Sequence, residues 1–174
     1  SDTVLVSIML ANNETGTIQP LAELPQVAHA HGVPVHTDAA QAAGRIPVDV
    51  AALGVDLLTL VGHKMYAPKG IAALYVRPGL PLEPVAYGGG QEAGLRSGTE
   101  NVAYAVALGV AADLAHADLA ADAPRRLAEL RDRLHRSLVD ALPGAVRLNG
   151  HLDRRLPNTL NVSLAGVAGD QLLA

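Results

Sequence analysis

Only two lysines stand in this chain, against eleven arginines, and both fall in one stretch, Gly62-His-Lys-Met-Tyr-Ala-Pro-Lys-Gly70. Arginine serves wherever any positive charge suffices. A guanidinium does not readily lose a proton and attack a carbonyl, so a lysine kept in this background, Lys64, reads as a Schiff-base amine. Asp38 lies 26 residues upstream, also at the end of an apolar run. An amine that takes an aldehyde and a carboxylate that keeps a ring nitrogen protonated are the two groups that a pyridoxal-phosphate site requires.

Each neighbour also has an ordinary reading. Asp38 alone would be the cap of a helix starting at Ala39; with Gln41 close behind it and Lys64 on another strand, the cofactor reading is the stronger. Lys64 alone is an exposed lysine after a strand. Its rarity here is the argument against that. His63 by itself is a structural hydrogen-bonder, and beside Lys64 it is in reach of a phosphate or a ring. Asn13 suits a plain turn. Gly88–Thr99, with Arg96, Ser97 and Thr99, is either a phosphate-wrapping loop or a hinge between domains. Arg45, His29 and His31 read as surface residues.

These groups need a frame. Val4–Leu10, Val33–Asp38, Val55–Val61 and Ile71–Val76 are short apolar runs of the kind that form buried strands. Leu21–His31 has helical spacing with Gly32 placed to end it. Crossovers of about a dozen residues imply a mainly parallel sheet. The fourth strand follows the third closely, which points to antiparallel or tight-loop pairing. The fold class expected is α/β, a mainly parallel sheet flanked by helices, with the start of a smaller α+β domain. Asn13, Asp38 and Lys64 then arrive together at the carboxyl ends of the strands, where such sheets bind ligands. Beyond the glycine-rich segment, Asn101–Ala121 is alanine-rich with few charges, so burial is expected. Pro124–Leu142 is amphipathic, with Leu127, Leu130, Leu134 and Leu138 on one stripe and Gly144 beyond its end. Asn158–Leu164 alternates as a half-buried strand. The expected division is residues 1–100 in a large α/β domain and 101–174 in an interdomain helix and a partial small domain.

Composition narrows the classes. Hydrophobic residues make up 49% and charged ones 17% of 174 residues, as in a soluble globular chain. No run of about 18 apolar residues suggests a membrane span, so no membrane partner is expected. The net charge of −4 argues against a nucleic-acid partner. With zero cysteines there is no disulfide, no cysteine-ligated metal and no thiol nucleophile. No metal site is expected, and the default setting is cytoplasmic. The chain opens at Ser1 almost within a strand and closes at Ala174 barely into a helix after Gly169-Asp170, as an internal piece of a longer protein would.

Taken together, Ala11-Asn-Asn-Glu-Thr-Gly16, Val35-His-Thr-Asp-Ala-Ala-Gln41, the Gly62–Gly70 stretch, Gly88-Gly-Gly-Gln-Glu-Ala-Gly-Leu-Arg-Ser-Gly-Thr-Glu-Asn101 and Leu156-Pro-Asn-Thr-Leu-Asn-Val-Ser163 closely resemble the cysteine desulfurases. These are fold-type I pyridoxal-phosphate enzymes of the class V aminotransferase kind, which supply sulfur for iron–sulfur clusters and thiolated cofactors. The resemblance implies that Lys64 forms the Schiff base, Asp38 pairs with the pyridinium nitrogen and Gln41 bonds the phenolic oxygen. Asn13 would lie near that oxygen and the substrate, and His63 would help to hold the phosphate. Thr99 would reach the phosphate of a neighbouring subunit, implying a homodimer. L-cysteine would be the substrate, alanine the product, and a sulfur-acceptor or scaffold protein the partner. The persulfide cysteine and the substrate-carboxylate arginine would belong downstream, and a phosphate-binding loop and ring-stacking histidine upstream. Val61 stands where the family usually has a serine for the phosphate, and Ala93 where an arginine is usual. A selenocysteine lyase or another class V lyase or aminotransferase shares Asp38 and Lys64. A non-catalytic scaffold, which Val61 would favour, is the alternative from another class.

Overall fold

The computed structural model describes residues 2–172. Four strands form one sheet in chain order: β1 (Val6–Met9), β2 (Val35–Asp38), β3 (Leu57–Val61) and β4 (Ala72–Val76). β1, β2 and β3 are parallel, and β4 returns antiparallel along β3. The mainly parallel sheet is as expected, and the tight connection gives the antiparallel partner. The strands are shorter than the apolar runs because the flanking residues turn to enter loops.

Leu21–His31 is not one helix. A 3-10 turn, Leu21–Glu23, leads into α1 (Leu24–His29), where Pro25 occupies the first turn. Proline's fixed φ and missing N–H suit that position and no later one, so the helix restarts there. α2 (Val50–Leu53) is a single turn, capped by the Asp49 carboxylate, which accepts from Ala51 N at 2.8 Å and Ala52 N at 3.0 Å. Gly54, at φ +68°, ends it in the left-handed region that glycine adopts without penalty.

Register places Val6, Ile8, Val35, Thr37, Leu58 and Leu60 on one sheet face, and that face is the core. Leu10, Leu21, Ala28 and Leu156 close over it. Leu156 comes from the far end of the chain and is 1% exposed. The opposite face carries Ser7, Met9, His36, Asp38, Thr59 and Leu74, of which Met9 and Leu74 are exposed.

The second half holds α3 (Val102–Ala120), α4 (Ala123–Ala141) and a two-stranded antiparallel sheet of β5 (Val146–Leu148) and β6 (Val162–Leu164). Strand structure in Asn158–Leu164 is confined to Val162–Leu164, and β5 has no counterpart in the sequence reading. Gly144, at φ +77°, lies in the turn after α4, whose helix stops at Ala141. Burial of α3 was expected and is not found: Ala111 is its one buried residue, and Val102, Val106, Val110 and Leu114 are exposed. Apolar residues are distributed all round this helix, and its main contacts are with α4, the Lys64 turn and the turn at Ala43–Gly44, so most of its surface has nothing to pack on. By length and composition α3 alone among the described residues is apolar enough to cross a membrane, with mean hydropathy 1.4. It nevertheless carries Asp113, His116 and Asp118. A 3-10 turn occupies Gly169–Leu172; Leu173 and Ala174, where a helix was expected to continue, lie outside the described residues.

Candidate functional site

Three loops leave the carboxyl ends of the three parallel strands. After β1 the chain turns through Asn12–Gly16. The Asn12 side chain organises the turn: its Oδ1 accepts from Glu14 N at 2.9 Å, Thr15 N at 2.8 Å and Thr15 Oγ1 at 3.1 Å. Asn13 is thereby left at the tip, exposed. The far end of the chain pins this turn. Leu156 N donates to Gly16 O at 2.8 Å, Asn161 Nδ2 to Glu14 O at 3.3 Å, and Gly16 lies so close to Thr159 that an added Cβ would sit 2.7 Å from Thr159 Cβ. Two of the motifs singled out in the sequence are therefore one structure.

After β2, Asp38 opens a tight turn, not the helix that a cap reading required. Its Oδ1 accepts from Ala40 N at 2.8 Å, and the rest of the exposed carboxylate faces outward. Ala39 N donates to Thr59 O at 2.9 Å, keeping this turn against β3, and Ala42 N and Ala43 N both donate back to Ala39 O. Gln41 is half-buried within the turn.

After β3 comes a 3-10 turn, Gly62–Met65, which carries His63 and Lys64, both exposed. Gly62 makes this turn possible by close approach: a Cβ there would lie 2.7 Å from Ile71 Cγ2 and 3.0 Å from Ala67 Cβ. Met65 is buried with Ala43 and Ala111 beneath the turn. Tyr66, at φ +67°, ends it in a conformation uncommon for a residue with a side chain. Val61 is half-buried at the last position of β3, opposite Ala72.

The structure thus brings Asn13, Asp38, Gln41, His63 and Lys64 to one edge of the sheet. Thr99 is not joined to them by a hydrogen bond. It is exposed on the loop between Ala86 and Asn101, whose hydrogen bonds close on itself: Ser97 Oγ donates to Ala86 O at 3.1 Å and Gly98 N to Gln91 Oε1 at 3.2 Å. Sequence reasoning missed Arg45, read as a surface residue. Its Nη2 lies 3.4 Å from Lys64 O and 3.2 Å from Tyr66 Oη, with the guanidinium 5.2 Å from the centre of the Tyr66 ring. The signal available was its place four residues after Gln41, within the turn that Asp38 opens.

Residues 1–174 match the family described as aminotransferase class-V. The chain belongs to that family. It is 47% identical over 172 residues to the protein named cysteine desulfurase IscS of Methanosarcina thermophila, covering 99% of this chain and 42% of that relative. Among solved structures, a NifS-like protein superposes with a TM-score of 0.90 at 40% identity, over 99% of this chain and 47% of the other. A structure titled SspA in complex with cysteine superposes with a TM-score of 0.62 at 48% identity, over 64% of this chain and 33% of that one. The chain spans less than half the length of the curated relatives it matches. Its fold is therefore that of part of a class-V aminotransferase, with the strand-end edge intact.

The donors at this edge fit pyridoxal phosphate by their chemistry. One exposed amine, one carboxylate with a free oxygen and two carboxamides stand on loops that leave adjacent strands in one direction. They answer an aldehyde, a pyridine nitrogen and a phenolic oxygen. Val61, at the end of β3, adds no hydroxyl to this set.

Proposed function

We propose that the full-length protein carrying this chain is a pyridoxal-phosphate-dependent cysteine desulfurase, converting L-cysteine to L-alanine and passing the sulfur to a protein thiol. The observation that carries the reading is the placing of exposed Lys64 and Asp38 on neighbouring loops at the carboxyl edge of parallel strands. The identity to proteins named cysteine desulfurase, and the fold shared with a relative solved with cysteine, support this choice over other class V chemistry.

When bound, pyridoxal phosphate supplies an electron sink for the bond broken at the substrate Cα. Lys64 Nζ would hold the cofactor's aldehyde carbon and, as a free amine, would take the proton from the substrate Cα. Asp38 would pair with the ring nitrogen, through the carboxylate oxygen that the Ala40 N–H leaves unused. Gln41 would donate to the phenolic oxygen, Asn13 would orient that oxygen and the substrate, and His63 would help to hold the phosphate. Thr99 serves the phosphate of a second subunit in a homodimer, and the sulfur passes on to an acceptor or scaffold protein. A thiol must receive the sulfur, and with zero cysteines this chain supplies none. Residues 1–100 form part of the large domain and 101–174 the interdomain helix and part of the small one.

The deciding experiment incubates the full-length protein with pyridoxal phosphate, reduces with borohydride and maps the modified peptide. Cofactor fixed at Lys64, with alanine formed from cysteine, is the expected result. A well-folded protein that fixes none returns the scaffold reading, with Val61 as its cause. The 174-residue chain by itself is expected to release neither alanine nor sulfide.

A further inference from the structure

The turn bearing Asp38 and the turn bearing Lys64 come from different strands, and a cofactor held at both ends requires a fixed separation between them. We infer that Arg45 is the positioning residue that sets it. This rests on the reading of Lys64 and Asp38 given above.

Arg45 closes the turn that Asp38 opens: Arg45 N donates to Ala42 O, and Ala42 N donates to Ala39 O. From that turn its guanidinium crosses to the other. One nitrogen, Nη2, reaches both Lys64 O and Tyr66 Oη, while the plane of charge lies 5.2 Å from the Tyr66 ring centre. The grip falls on the main chain of Lys64 and on the residue that ends its turn, so the Lys64 amine stays free. Tyr66 has φ +67°, a conformation that costs a non-glycine residue energy and persists only where its surroundings hold it. Stacking and hydrogen bonding to Arg45 supply that hold.

The floor of the brace consists of small residues. Gly44, at φ +73°, would place a Cβ 3.0 Å from Ala115 Cβ and 3.4 Å from Met65 Cγ, so the two turns and α3 meet in contact beneath Arg45. Packing therefore sets the depth of the turns, and Arg45 sets their spacing across the top. Lysine is a poorer replacement, because it lacks the planar guanidinium that presents its face to the ring while Nη2 bonds the two oxygens.

The test uses the full-length protein as wild type and with Arg45→Lys, Arg45→Met, Tyr66→Phe and Arg45→Met/Tyr66→Phe. Three quantities are read: the dissociation constant for pyridoxal phosphate, the pH midpoint of the visible absorbance of the lysine-bound cofactor, and the unfolding midpoint of the cofactor-free protein. We expect Arg45→Met to weaken cofactor binding about tenfold, equivalent to about 1.4 kcal/mol, and to displace the pH midpoint. Arg45→Lys should restore less than half of the loss and Tyr66→Phe should cost about threefold. The double variant should be no worse than Arg45→Met, because both remove one contact. Should Arg45→Met fail to fold, Arg45→Lys and Tyr66→Phe still carry the comparison. Wild-type affinity and pH midpoint in Arg45→Met or Arg45→Lys, with only the unfolding midpoint lowered, would overturn the positioning role. Failure of the wild type to attach cofactor at Lys64 would instead overturn the functional reading itself.

Discussion

Asp38 and Asp56 stand at opposite ends of neighbouring strands, in opposite circumstances. Asp38, at the carboxyl end of β2, is exposed and accepts one backbone N–H. Asp56, just before the amino end of β3, is 1% exposed and fully engaged. Its Oδ2 accepts from Val35 N at 2.7 Å and lies 2.8 Å from His29 Nε2, and its Oδ1 accepts from Arg77 Nε at 2.6 Å. Burial alone would raise this carboxyl, but the Val35 N–H, His29 and Arg77 together outweigh it and hold it below the ordinary range. One aspartate is built into the frame; the other is offered outward. A carboxylate left with unused capacity at the ligand-binding edge marks chemistry, whereas one saturated by three partners marks architecture.

The contrast breaks if both aspartates respond alike to substitution. Asp56→Ala in the cofactor-free full-length protein should cost about 2–4 kcal/mol by urea unfolding, because it leaves the buried Val35 N–H without its acceptor and removes the carboxylate that Arg77 and His29 share. Next in size, Gly16→Ala should cost about 1–3 kcal/mol in the same assay, since its Cβ would collide with Thr159 at a strained φ of +71°. The pH dependence sharpens the comparison. With its folded pKa lowered, Asp56 contributes stability that is present above its unfolded value and lost as pH falls through the folded one. The slope of stability against pH below about 4 should therefore flatten in Asp56→Asn. Smallest of all, Asp38→Asn should change unfolding by under about 0.5 kcal/mol while weakening pyridoxal-phosphate binding. An Asp38 variant as unstable as the Asp56 variant would make both residues architecture. In the other direction, Val61→Ser should tighten cofactor binding several-fold in equilibrium titration, by restoring a hydroxyl near the phosphate.

The sheet was legible because β1, β2 and β3 are apolar runs with turn residues at both ends, and the gathering of Asn13, Asp38 and Lys64 at one edge was legible because they fall at or just beyond the strand ends. Arg45 was not: its place four residues after Gln41 sets it near that edge, but a linear sequence does not show which backbone carbonyl a long side chain crosses to. Asp56 left a signal that went unused: a charge inside Val55-Asp56-Leu57-Leu58 must be buried, and a buried charge needs partners. His29 is one of them, although it reads as a surface residue. The exposure of α3 was hidden for another reason. Composition says that a helix prefers cover, not that this stretch of chain provides it.

The pinning of the Asn12–Gly16 turn by Leu156 and Asn161 has a consequence in time. Its partners are separated by about 140 residues of chain, and closing so long a loop is entropically costly and slow. During synthesis the strands can pair as they emerge, yet the turn that presents Asn13 must wait for a segment made about 140 residues later. The turn at the end of β1 is therefore fixed later than the strand that leads into it.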